Sequence, residues 1–171
     1  NRLLMYGSAK LVGTPQMKFY KNGDKVVGRG VQMAFSFKNG VRKQFVEDIV
    51  FTFNSDGKIE ALAFGLGKTA EDDILNKGWW DEKARIAIME FLENYKTAYA
   101  LKRLDYIEGV FDKDAIIITG TVLKRPKQSF TDGGSISLSD EQVVYKTHNK
   151  MGYLNNLRRV FDQNEFINIC F

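Results

Sequence analysis

The sequence predicts an α+β fold, an antiparallel meander followed by a long helix and a shorter set of helices and strands. Three observations predict it. Residues 16–66 alternate apolar and polar side chains between sharp turns, the period-2 pattern of half-buried strands. Residues 81–102 change to the helical period, with Ala84, Ile88, Phe91, Tyr95 and Ala98 at i, i+4, i+7, i+11 and i+14. The acidic turn Asp112-Lys113-Asp114 then leads into the β-branched run Ile116-Ile117-Ile118-Thr119.

In chain order, residues 16–21 form a short strand closed by Asn22-Gly23-Asp24, residue types that tolerate positive φ. In 25–37 the apolar face is Val31, Met33, Phe35 and Phe37, and Gly28 and Gly30 around Arg29 predict a bulge. Lys38-Asn39-Gly40 marks a hairpin turn, 42–54 a strand with Phe45, Ile49, Phe51 and Phe53 on one face, and Ser55-Asp56-Gly57-Lys58 the turn into 59–66. Thr69 is expected to cap a short helix ended by Gly78, and Asp81 to cap the long one. A second short helix covers 104–111, and a strand 115–123 ends at Pro126. A polar loop covers 127–134, a strand 142–147, an amphipathic helix 151–162 and a last strand 166–171.

The chain has 171 residues, 44% hydrophobic and 27% charged, ordinary values for a globular core. Its net charge of +4 spreads 25 basic residues among 21 acids, so neither composition nor the short clusters at 124–127 and 158–159 points to nucleic acid. Cys170 is the single cysteine and His148 the single histidine, which excludes intrachain disulfides and Cys/His zinc sites. No apolar run reaches membrane-spanning length. The chain starts without Met and stops inside an apolar run, and reads as a fragment of a longer protein.

The run Asp105-Tyr106-Ile107-Glu108-Gly109-Val110-Phe111-Asp112-Lys113-Asp114-Ala115 resembles the aspartate–phenylalanine–Asp-Ala signature of NTF2-like domains, the SnoaL-like and ketosteroid-isomerase-like group. Asp56-Gly57-Lys58-Ile59 resembles the last hairpin of the same fold. The resemblance implies a cone: a curved antiparallel sheet with helices packed on its concave face. It divides the chain into 1–68, like the C-terminal half of one domain, a linker at 69–80, and 81–171, like the incomplete N-terminal part of a second. Packing of 1–68 against 81–171 as one permuted cone is the alternative. The chain as a whole resembles uncharacterised tandem-domain bacterial proteins. That implies the bacterial cell envelope, with any signal peptide ahead of Asn1.

The family's isomerases use a tyrosine on the first helix and a carboxylate on the first strand. Counting from Asp105 puts Tyr95 at the tyrosine and Thr119 at the carboxylate, and threonine cannot serve as a general base for carbon acids near neutral pH. The resemblance places Tyr95, Tyr99, Phe91 and Thr119 in the ligand pocket, and leaves Tyr95, Glu47 and Asp105 as catalytic candidates. Tyr95 otherwise reads as a core residue and Asp105 as a helix cap. Glu47 lies on the apolar face of its strand, so it needs a partner, for which Arg29 or Arg42 is expected, or must stay protonated; exposure at a strand end or bulge is the other structural reading. Trp79-Trp80 is expected to bury an inter-domain seam. The sequence thus predicts a non-catalytic module for ligand or protein binding, with an isomerase or dehydratase as the alternative. It implies a small apolar ligand, a homodimer or an intrachain NTF2-like neighbour, and no metal or other cofactor.

Overall fold

A computed structural model describes residues 7–37, 44–131 and 134–171. The expected turn at Lys38-Asn39-Gly40 and the side chain of Arg42 lie outside them. The fold is α+β, with two antiparallel sheets and four helices among the described residues, and neither sheet closes into a barrel. The chain forms two compact units, Asn1–Ile107 with Val160–Phe171, and Glu108–Arg159.

The first unit is built on one sheet: β1 (Gly7–Leu11), β2 (Lys18–Asn22), β3 (Lys25–Phe37), β4 (Gln44–Phe53) and β5 (Ile59–Phe64). The long β3 is shared along one edge, pairing β2 through Lys25–Arg29 and β1 through Met33–Phe37, while β4 takes its other edge. The expected bulge is present. Gly28 lies opposite Phe51 and Val31 opposite Ile49, so Arg29 and Gly30 together face one residue of β4. Gly30 adopts φ +88°, and a Cβ there would stand 2.5 Å from the Gln16 carbonyl oxygen, so only glycine fits. The extra residue keeps Gly28 and Val31 on one face although they are three apart.

Two helices complete this unit, α1 (Lys68–Leu75) and α2 (Glu82–Ala100). Asp81 caps α2 as expected, its carboxylate accepting from the Ala84 N–H at 2.7 Å. The caps of α1 fall on Gly67 and Asn76 rather than Thr69 and Gly78. Phe35, Ile49 and Phe64 from the sheet pack with Ala100 of α2, flanked by Met33, Phe51, Leu101 and Phe166. Leu66, Ile74 and Met89 form a second cluster joining α1 to α2. The meander and the long helix therefore share one unit, and the expected linker at 69–80 falls inside it.

Residues 166–171 do not join a sheet. Their alternating apolar side chains pack instead as an extended tail, with Phe166 4.8 Å from Phe45 and Phe171 6.4 Å from Tyr95, ring centre to ring centre. Trp79 is 76% exposed and Trp80 37%, so neither is buried in a seam. Trp79 carries the Lys77 ammonium 5.1 Å from its ring centre.

After α3 (Leu104–Val110), the second unit is a long two-stranded ribbon, β6 (Ile116–Thr131) and β7 (Gly134–Asn149), leading into α4 (Lys150–Gln163). Pro126 does not end β6; it pairs opposite Ser139. Both strands of a ribbon are edge strands, where a missing N–H leaves no central ladder broken. The expected loop at 127–134 is thus mostly strand. Phe111 meets Tyr153 edge-on at 5.5 Å, and Lys150 Nζ donates to the Phe111 carbonyl at 2.9 Å.

Helix α2 ends in a Schellman motif whose left-handed residue is Lys102, at φ +55°. The Lys102 N–H reaches the Tyr99 carbonyl at 3.1 Å and the Arg103 N–H the Ala98 carbonyl at 2.7 Å. A side chain in this conformation costs on the order of 1 kcal/mol that glycine avoids. Lys102→Gly should therefore raise stability in urea unfolding by up to about 0.5 kcal/mol, net of the greater chain entropy of glycine.

Candidate functional site

The stripe of α2 that faces the sheet is more polar than hydrophobic periodicity implies. Met89, Glu93, Lys96, Thr97 and Ala100 are all buried, while Phe91 of the expected stripe is 46% exposed. Three polar side chains of this stripe grip the end of β5 and the turn after it. Thr97 Oγ1 donates to the Glu93 carbonyl at 2.6 Å and accepts the Phe64 N–H at 2.8 Å. Glu93 Oε1 accepts the Leu66 N–H at 3.2 Å, and Lys96 Nζ donates to the Gly65 carbonyl at 3.0 Å. The edge strand β5 offers unpaired backbone groups, and the helix supplies the partners that water would otherwise provide.

The same helix makes two buried ion pairs with the sheet. Lys96 Nζ meets Glu47 Oε2 at 2.7 Å, with both side chains under 10% exposed. The strand carboxylate singled out in the sequence does have a cationic partner, and it comes from the helix; Arg29 pairs elsewhere, and Arg42 lies outside the described residues. Arg29, delivered by the β3 bulge, pairs with Glu93, and its Nε lies 3.4 Å from Glu71 of α1. Arg29 Nη1 also donates to the Tyr20 hydroxyl at 3.5 Å, a long contact. Burial pushes the Glu93 carboxyl up to about 7, against the pull of Arg29 and the Leu66 N–H and helped by Glu71 and Glu90. Burial also raises the Tyr20 hydroxyl, with Arg29 opposing.

Beside this network lies a cavity of about 560 Å³. Its walls include one face of each helix: Lys68, Glu71, Asp72 and Leu75 from α1, and Glu82, Arg85, Ile86 and Met89 from α2. Both sets have i, i+3, i+4, i+7 spacing. Lys18, Tyr20, Arg29 and Asp48 contribute from the sheet, and Gly65 and Leu66 from the turn. The ionic lining is balanced, with Lys18, Arg29, Lys68 and Arg85 against Asp48, Glu71, Asp72 and Glu82. Arg85 Nη1 donates to the Leu75 carbonyl at 2.8 Å. Arg85 Nε is buried without a partner, alone in this among the described side chains.

The residues singled out from sequence lie elsewhere. Tyr95 shares a hydroxyl–hydroxyl bond of 3.0 Å with Tyr99 and stacks on Phe91, an aromatic cluster that does not line the cavity. Tyr99 packs edge-on against Phe161 at 6.0 Å. Thr119 belongs to the second unit, where its hydroxyl bonds His148 Nε2 at 3.0 Å across the ribbon. Asp105 is exposed in the first turn of α3. Among the described residues no cluster of His, Cys, Asp or Glu could hold a metal ion, and no helix is long and apolar enough to cross a membrane. The cavity residues were missed because charged side chains on a helix read as solvated. Only the paired four-residue spacing on two consecutive helices could have pointed to them. No protein-family model, curated protein or solved structure matches the chain.

Removing one member of a buried ion pair strands the other, at about 3–5 kcal/mol, while an apolar replacement of both is far less costly. Lys96→Met should lose stability of that order in urea unfolding, and Glu47→Leu combined with Lys96→Met should recover much of it. The Glu93 carboxyl holds its proton more tightly folded, at about 7, than its ordinary 4.5. Its contribution to stability is therefore full below pH 4.5 and is lost as pH rises through 7, about 3 kcal/mol in all. Unfolding free energies measured from pH 4 to 8 should show this decline in the parent relative to Glu93→Gln.

Proposed function

We propose that this chain is a non-catalytic binding module of the NTF2-like type, and that the cavity between α1, α2 and the β2–β3 side of the sheet is its ligand site. The observation that carries the reading is the cavity itself. Its volume of about 560 Å³ lies within the range that small-molecule sites occupy, and apolar side chains mix there with a few placed polar groups. A buried, hydrogen-bonded charge network stands behind one wall and holds α2 in place, the kind of supporting shell a binding site needs. An isomerase would need its tyrosine and carboxylate to face one cavity. The hydroxyl of Tyr95 is bonded to Tyr99, the carboxylate of Glu47 is held by Lys96, Asp105 is exposed, and none of the three lines this cavity.

The test is an amide-resonance titration of the isotope-labelled protein with a library of small apolar and amphipathic fragments. Binders should shift Gly30, Gly65, Leu66 and Met89, and Ile86→Trp, which fills the cavity, should abolish those shifts in a protein that remains folded. Shifts confined to other surfaces, or no binder at all, would overturn the reading.

A further inference from the structure

We propose that the apolar face of the β6–β7 ribbon is the contact surface of a two-fold dimer, covered by the same face of a second copy of this chain. Ile116, Ile118, Gly120 and Val122 stand in register opposite Asn149, Thr147, Tyr145 and Val143, so these positions share one face. Ile116, Ile118, Val122, Val143 and Tyr145 are each between 44% and 76% exposed. The opposite face is half-buried at Ile117, Thr119, Val144 and His148. A sheet ordinarily buries its more apolar face, and here that face is the open one. A two-stranded ribbon with nothing on its apolar face is marginal in water, so a second layer would stabilise it. These residues do not line the cavity of the first unit, and the dimer does not depend on a ligand there.

The exposed side chains form one patch. Gly120 keeps its centre continuous: a Cβ there would stand 3.1 Å from Val143 Cγ1 and 3.3 Å from Tyr145 Cε1, so both side chains lean across the glycine and close the gap between Ile118 and Val122. From Ile116 to Val122 the patch runs about 20 Å along the strand. At these exposures it leaves on the order of 600 Å² open, the upper end of what a lone soluble chain exposes. Covering it on both copies removes about 1,200 Å², the area at which specific interfaces begin. The choice of occupant follows from charge. No residue at these register positions is charged. An acidic or basic partner has nothing to recognise here, whereas a second copy meets no repulsion and brings an equal apolar area. A two-fold axis requires a single surface that meets itself, and it would pass near the Gly120–Tyr145 pair.

In sedimentation velocity of the full chain from about 1 to 200 μM, the parent should pass from one chain mass to two, with a dissociation constant on the order of 10 μM. Tyr145→Lys should hold the chain at one mass throughout, because it sets like charges near the axis. Ile118→Thr combined with Val122→Thr keeps β-branched side chains on the strand while removing apolar surface, and should weaken the dimer by at least about tenfold. Leu62→Lys, at an exposed apolar position of the first unit, should leave the dimer unchanged. Retained amide dispersion shows that each variant folds. Methyl contacts between isotope-labelled and unlabelled chains should involve Ile116, Ile118, Val122 and Val143, which distinguishes face packing from pairing along the open edges of the ribbon. A single chain mass at every concentration would give the face to a different partner and overturn the assignment. So would a dimer insensitive to both ribbon variants, or interchain contacts confined to other surfaces.

Discussion

The first unit depends on how one helix replaces water along the exposed end of a sheet. Strand β5 stops at Phe64, and the turn after it runs in a buried environment where its backbone groups need partners. Helix α2 provides them through Glu93, Lys96 and Thr97, which together satisfy the N–H of Phe64, the carbonyl of Gly65 and the N–H of Leu66. The same three positions fix the rotation of the helix about its axis. A turn by one residue would place Tyr95 or Asn94 against the strand, leaving the buried Glu47 without its ammonium and the buried Arg29 without Glu93. Apolar packing alone tolerates such slips more easily than a charged lattice does.

The bulge in β3 is the second half of that arrangement. Two residues opposite one on β4 carry Arg29 to Glu93 while keeping Val31, Met33 and Phe35 on the core face. Gly30 makes this possible because its φ is positive and the Gln16 carbonyl occupies the space a side chain would need. A backbone irregularity, a buried guanidinium and a helix carboxylate thus form one device. The cavity opens beside it between the sheet and the two helices, which are joined by the cluster of Leu66, Ile74 and Met89 and by the bond from Arg85 to the Leu75 carbonyl.

Much of this was legible beforehand. The β-meander, its turn at Asn22-Gly23, the bulge at Gly28–Gly30, the Asp81 cap and the last helix all follow from local chemistry, in which a side chain's preference is satisfied within a few residues. Local chemistry also flagged Glu47 as a carboxylate on a core face that required a cation. Where it failed, a distant partner decided the outcome. Pro126 reads as a terminator but sits in a ribbon with no central strand to break, and residues 166–171 alternate like a strand but pack as an extended tail against Phe45, Phe64 and Tyr95.

By itself the sequence determined the type and order of the elements, because period, turn residues and caps act over one or two turns of chain. The tertiary structure alone decided which face of α2 is inside. Hydrophobic periodicity favoured the stripe through Phe91 and Tyr95, whereas the buried face is the one carrying Glu93, Lys96 and Thr97. A charged side chain on a helix reads as solvated until its partner is known, and Arg29, Glu47 and the backbone of 64–66 lie between 27 and 64 positions from their partners along the chain. Only folding brings them within hydrogen-bond reach, and with them the cavity that their rigidity supports.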